Sequence, residues 1–280
     1  MRDAISNSIP INLITMFIPV LFLYLGMTSN IEQVKKFKND KKSLLAGLVI
    51  QLFFVPLIGF AISQIYSDSL LSLAVLIVLI TPGGHISSYF SHIKNANVPL
   101  SVFLTSLTSL MSPLTIPLWL RLSSANIQDY EVEFLELFLQ LCLAILLPYF
   151  LGIIIKSRFV KIYKFINVSL DRFLKFLIVL VSIWTPIDLR AYISDYFIES
   201  FLFTVAILLC IYIGVNQCTK LLNLENSNSN TLKIEAVCQN FPIVLALSII
   251  LNAPLVAIFG ITYYCVSFIS VAIFSFTKIN

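Results

Sequence analysis

Apolar residues run along this chain in nine long blocks, each near the roughly 20 residues that a helix needs to cross a bilayer. They cover approximately 9–28, 44–66, 70–93, 98–120, 134–155, 169–189, 199–218, 233–252 and 254–276, spans 1 to 9 in chain order. Two are interrupted. Span 3 is broken at Pro82-Gly83-Gly84, and span 8 carries Glu235, Gln239 and Asn240 ahead of Pro242. Between the blocks there is no polar stretch long enough for a soluble domain, so the pattern predicts an all-α polytopic membrane protein in one unit, residues 1–280.

Composition supports the same reading. Of 280 residues, 59% are hydrophobic and 11% charged, against about 25% charged in a soluble domain. The five cysteines (Cys142, Cys210, Cys218, Cys238, Cys265) lie in apolar runs without CxxC spacing, which argues for small buried hydrophobes over a disulfide framework or a metal site. Arg2 is offset by Asp3 and the first apolar run is long enough to span, so a cleaved leader is not expected.

Charge supplies orientation. With nine spans, fifteen of the eighteen basic residues fall on one face, including Lys35, Lys36, Lys38, Lys41 and Lys42 in one loop and Lys156, Arg158, Lys161, Lys164, Arg172 and Lys175 in another. Arg2, Arg121 and Arg190 take the other face, with acids such as Asp129, Glu131, Glu133, Asp188 and Asp195. The positive-inside rule then puts the N-terminus outside and the C-terminus in the cytoplasm.

Polar groups at membrane depth mark cavities lined by protein. Proline and two glycines in span 3 predict a broken helix whose second half aims free N–H groups at the gap. Span 8 predicts a second break, with a carboxylate about one turn before it. In span 4, Ser101 and Thr105 stand at i, i+4 and share a face. Taken singly, each hydroxyl is better read as a packing residue bonded to an i−4 carbonyl. The Pro-Gly-Gly run also reads as a plain kink, and Glu235, beside Lys233, as a residue snorkelling to the interface. A mid-span acid costs roughly 2.5–3.5 kcal/mol, and Gln239 and Asn240 continue inward from it, which favours a functional reading. Oxygen-only donors suit a hard cation, not a transition metal.

At these residues the sequence resembles the bile acid:sodium symporter family. Pro82-Gly83-Gly84-His85-Ile86-Ser87-Ser88 and Asn97-Val98-Pro99-Leu100-Ser101-Val102 are similar to its PGG-x-x-S-N and N-V-A-L-S-V segments, and Glu235-Ala236-Val237-Cys238-Gln239-Asn240 to its E-V-G-M-Q-N motif. Thr105, Ser112, Pro113, Leu114 and Pro117 extend the first match, and Gly26-Met27, Gln51 and Pro56 extend it toward the N-terminus. The resemblance implies an inverted-repeat transporter in a nine-helix form, lacking the family's first helix. A panel would comprise spans 9–28, 134–155 and 169–189, and a core the spans 44–66, 70–93, 98–120, 199–218, 233–252 and 254–276, with the two broken helices crossing.

By motif, the resemblance implies one sodium site at Ser87, Ser88, Ser101, Thr105 and Glu235. It implies a second at Gln51, Glu235, Gln239 and the carbonyls of Ala236 and Cys238. Two sodium ions against one carboxylate leave positive charge for an organic anion, met by His85 and Asn240 and, where bacterial relatives often have His-Asn, by Tyr263 and Tyr264. Departures touch these sites. Ser88 replaces an asparagine, His85 a small hydroxyl residue, and Phe241-Pro242 a Ser-Gly or Ala-Gly pair. One strong sodium site and a second weak or absent one are therefore expected.

The function implied is sodium-coupled symport of small carboxylates or bile-acid-like anions by alternating access, in a bacterial inner membrane. The partners implied are the anion and the lipid bilayer; neither a nucleic acid nor a protein partner is implied. Arsenite carriers share the architecture but use a cysteine-centred motif that span 3 lacks, and nothing indicates a channel's pore-lining ring. An intramembrane hydrolase would need an orienting acid beside His85 and Ser87 or Ser88, so an enzyme is not expected. The rival reading is a non-transporting membrane sensor with a decayed symporter site.

Overall fold

The computed structural model describes residues 2–29, 40–65, 69–123 and 133–277. Every regular element among them is helical. A short α1 (Arg2–Ser6) leads into α2 (Ile9–Thr28), α3 (Lys41–Ile65), α4 (Ser69–Ile80), α5 (Ile86–Ile93), α6 (Val98–Ser123) and α7 (Phe134–Arg158). The chain continues through α8 (Val160–Asp188), α9 (Arg190–Leu221), α10 (Asn226–Val237), α11 (Phe241–Ile250) and α12 (Pro254–Phe276). Lys35, Lys36, Lys38, Asp129, Glu131 and Lys278, used in the charge argument, lie outside the described residues.

Among the described residues, six helices are long and apolar enough to cross a membrane: α2, α3, α6, α7, α9 and α12. Spans 3 and 8 are each two pieces, α4 with α5 and α10 with α11, so neither presents one continuous stretch. Span 6 differs from expectation at its start. Residues 160–168, read as loop, are the first turns of α8. Lysines lower hydropathy there without breaking a helix, and Asp171, Arg172 and Lys175 interrupt its apolar stretch.

The most enclosed element is α4, where Leu71 and Leu73–Ile80 are all buried, as expected of a helix apolar all round. It packs against α3 and α12, and α12 in turn against α9 and α11. Elsewhere α2 lies along α7 and α8. Its approach to α7 depends on two glycines: a Cβ at Gly26 would sit 2.0 Å from the Tyr149 carbonyl oxygen, and one at Gly152 2.1 Å from that of Leu23. A smaller hydrophobic cluster, including Ile11, Ile14, Leu174, Leu177, Phe241 and Ala257, joins α2 and α8 to α11 and α12.

Both second half-helices end alike. After α5 and α11, Asn95 (φ 55°) and Asn252 (φ 49°) take the left-handed conformation that ends a helix. Their neighbours close the Schellman pattern, Ala96 N donating to Ser91 O and Ala253 N to Ser248 O, both at 2.8–2.9 Å. A proline then starts the next helix, at Pro99 or Pro254.

Candidate functional site: a buried carboxylate where two broken helices meet

The two interruptions face each other. Gly83 and Gln239 form an antiparallel bridge, with Gly84 N donating to Cys238 O at 2.7 Å and Asn240 N to Pro82 O at 2.9 Å. Backbone freed by the breaks thus finds its partners in the opposite break, as burial demands. Glycine is required at this approach: a Cβ on Gly83 would lie 2.5 Å from Glu235 Oε2, and one on Gly84 2.6 Å from Gln239 O.

Glu235 lies in the last turn of α10 and is buried. Three hydroxyls converge on its carboxylate. Ser87 Oγ and Ser101 Oγ each donate to Oε1 at 2.5 Å, and Thr105 Oγ1 reaches Oε1 at 2.9 Å and Oε2 at 3.1 Å. Ser88 is one step away, 3.1 Å from Ser101 Oγ. The i, i+4 pair in α6 therefore delivers both hydroxyls to one acid, with α5 supplying a third.

On the carbonyl side of Glu235 lie two amides. Gln51 Nε2 donates to Glu235 O at 2.5 Å and Gln239 Nε2 to Ala236 O at 2.9 Å. A carbonyl partner fixes the orientation of each amide, because only the NH2 group can donate. Gln51 Oε1 and Gln239 Oε1 are then left buried without a hydrogen-bond partner. Orphaned buried acceptors are rare and point to an absent donor or ion. Among the described residues no group of three or more His, Cys, Asp and Glu side chains stands together as a metal centre.

Gln51 owes its placement to a π-helical stretch, Ile50–Phe54, within α3. Pro56 follows it by two residues, and proline clashes with the carbonyl of residue i−4. The wider turn accommodates that clash, and the i−4 carbonyl, Leu52 O, accepts from Trp119 Nε1 at 3.2 Å. A second π stretch, Cys142–Leu146, precedes Pro148 in the same way. Pi-bulges gather at functional positions, and proline two residues on was the available sequence signal.

Beside the carboxylate opens a cavity of about 370 Å³. His85, Ser88, Thr105 and Ser106 line one side; Leu21, Tyr24, Thr28, Asp171 and Lys175 line the other. Asp171 is held by Tyr24 OH at 2.7 Å and by Lys175 Nζ at 2.8 Å. Sequence reasoning did not single out this trio: Asp171 and Lys175 fall at the start of span 6, and Lys175 entered only as one charge of the basic face. The remaining expected residues stand apart from this cavity. Asn240 caps α11, its side chain accepting from Ile243 N. Tyr263 donates to Val237 O at 3.0 Å, and Tyr264 stacks on Phe241 with ring centroids 4.5 Å apart. Both tyrosines, with Cys238 and Gln239, line a second, narrow cavity of about 10 Å³, room for about one water.

Six long apolar helices, with two interrupted helices exchanging backbone hydrogen bonds around a buried acid between them, define an integral membrane protein with an internal polar site. Residues 11–207 match the model of the Sodium Bile acid symporter family, and the chain belongs to that family. It is similar to the uncharacterized sodium-dependent transporter YocS of Bacillus subtilis, 26% identical over 53% of this chain and 46% of the relative. It is also similar to the hepatic sodium/bile acid cotransporter of Homo sapiens, 28% identical over 49% of this chain and 41% of the relative. Sodium/bile acid cotransporter 4 of Mus musculus is 29% identical over 58% of this chain and 38% of its own length. The matched part spans less than half the length of each of these relatives.

Proposed function

We propose that this chain is a sodium-coupled symporter of small organic anions that works by alternating access. The observation that carries the reading is the set of buried oxygens around Glu235. Three hydroxyls hold the carboxylate while two amide oxygens, Gln51 Oε1 and Gln239 Oε1, have no protein donor. Oxygen-only donors of this kind suit a hard cation. In this reading one sodium site takes Ser87, Ser88, Ser101, Thr105 and Glu235. The other takes Gln51, Gln239, Glu235 and the carbonyls of Ala236 and Cys238, and is the stronger. Sodium charge in excess of one carboxylate would draw an anion into the 370 Å³ cavity, where His85 meets it.

Helices α2, α7 and α8 would act as the panel and the remaining long elements as the core, rocking about the crossing. Nine crossings, an outside N-terminus and a place in a bacterial inner membrane complete the proposal. The test is sodium-gradient-driven uptake of a panel of carboxylates and sulfonates into proteoliposomes. Wild type should accumulate at least one, and Glu235→Gln should lose sodium-driven uptake while staying extractable and folded. Undiminished uptake by Glu235→Gln would overturn the reading.

A further inference from the structure

The carboxylate is not the end of the polar face on α10. Asn228, Thr231 and Glu235 stand at i, i+3 and i+7, a spacing that puts them on one side of a helix. Opposite them Asn97, Ser101 and Thr105 are spaced by four across the start of α6. The two faces are matched in register. Asn97 Nδ2 donates to Asn228 Oδ1 at 2.8 Å, and Asn97 N to Thr231 Oγ1 at 2.8 Å. One turn further on, Ser101 and Thr105 meet Glu235.

The lower end of this seam is tied to a third helix. Asn228 Nδ2 donates to Asp40 Oδ2 at 2.6 Å and to Ser43 Oγ at 2.9 Å, while Asp40 caps α3, accepting from Ser43 N at 3.2 Å. Helix α3 is the one that carries Gln51. Asn228 therefore has both ends of its amide engaged, and it is buried together with Ser43 and Thr231. One side chain couples the three helices that bring Gln51, the two α6 hydroxyls and Glu235 together.

We infer that Asn97, Asn228 and Thr231 are positioning residues for the cation site: the seam fixes the axial register of α6 and α3 against α10, and with it the spacing of oxygens around Glu235. This rests on the reading of that carboxylate as a sodium ligand. None of the three touches the carboxylate or the large cavity, so their effect has to travel through helix register. Outer-shell groups that orient metal ligands typically contribute about 10–100-fold to affinity.

The experiment is sodium titration of the purified full chain, read as sodium-dependent protection against thermal unfolding, with choline chloride as the ionic-strength control. Asn228→Ala should raise the half-saturating sodium concentration about tenfold. Thr231→Val should do the same, whereas Thr231→Ser, which keeps the hydroxyl, should stay within about twofold of wild type. Asn97→Ser separates the two jobs of that residue: serine still caps α6 in place of the bond Leu100 N now makes to Asn97 Oδ1, but it cannot reach Asn228. It should therefore fold with near-native stability in choline and still bind sodium weakly.

A purely structural seam would lower the melting temperature in choline and leave half-saturation unchanged. That result, or equal sodium affinity for Thr231→Val and Thr231→Ser, overturns the inference while wild-type protection by sodium still stands. Loss of sodium protection in wild type itself would remove the sodium-ligand reading and the inference with it.

Discussion

The two breaks in the membrane helices do the same topological job with opposite chemistry. The first, between α4 and α5, is Thr81 to His85, and its centre contributes almost no side chain: proline to stop the helix, then two glycines. The second, between α10 and α11, is Cys238-Gln239-Asn240, with no glycine. It interrupts the helix through Asn240, which caps α11, and Pro242 in that helix's first turn. One break provides room and the other provides polar side chains. Gly83 leaves space for the carboxylate that α10 brings, and Gly84 for the Gln239 carbonyl. A pair of side-chain-bearing breaks would collide, and a pair of glycine breaks would bring no side-chain oxygens to the crossing.

The largest effect should come from giving the first interruption a side chain. Gly83→Ala places a Cβ 2.5 Å from Glu235 Oε2. It should abolish sodium-driven uptake, with sodium protection weakened at least tenfold, an effect about as large as losing a metal-orienting group. Retained uptake in proteoliposomes would show that the close approach is dispensable. Removing a ligand from the second interruption should matter somewhat less. Gln239→Ala deletes one of the two orphaned amide oxygens and should weaken sodium binding several-fold to about tenfold, measured by the same titration. A harmless Gln239→Ala would remove Gln239 from the ligand set.

Smaller effects sharpen the picture on the first side. Ser88 stops at Ser101 Oγ and does not reach Glu235; Ser88→Asn, with a longer side chain and an amide oxygen, should raise sodium affinity a few-fold. An unchanged titration would take Ser88 out of the site. His85 faces the same cavity as Ser88. A proton gained there would add positive charge to the proposed cation site, so sodium affinity should fall as falling pH protonates the imidazole. His85→Thr should flatten that slope, and identical profiles would leave His85 without a titrating role. Last and smallest, Asn95→Ala and Asn252→Ala should each cost about 1 kcal/mol of stability, because an L residue other than Asn or Gly pays for left-handed backbone. Equal losses in thermal unfolding would show that the two half-helices end alike even though they begin differently.

What could be read from the sequence follows the same physics. Pro82-Gly83-Gly84 and the polar run ending at Pro242 announced both breaks, because proline removes a helix donor and polar side chains at membrane depth need partners inside the protein. Ser101 and Thr105 were legible as partners of one group because helical spacing alone puts them on one face. The start of α8 was not legible: its lysines resemble a loop by hydropathy, yet nothing there forbids a helix. Asp171, just inside span 6, was hidden among the basic residues on either side of it, and Tyr24 because a tyrosine in an apolar span carries no signal of its own. The Asn97–Asn228 pair was out of reach on different grounds. Its members lie 131 residues apart, and each alone looks like an ordinary helix-end asparagine.

The separation of the two breaks also has a consequence for how the molecule is made. Ser87 and Glu235 are 148 residues apart, so the hydroxyl shell waits for its acid while that intervening stretch is made. At synthesis rates of about 5–20 residues per second, that is an interval of many seconds. Through it, the freed N–H and C=O groups around Gly83 have no Cys238 or Asn240 to pair with. During that time the first interruption belongs near water or the insertion machinery, since unpaired backbone in hydrocarbon is expensive. Bridging of Gly83 to Gln239 would then be the event that lets α4 and α5 settle, coupling biogenesis of the site to completion of the C-terminal half.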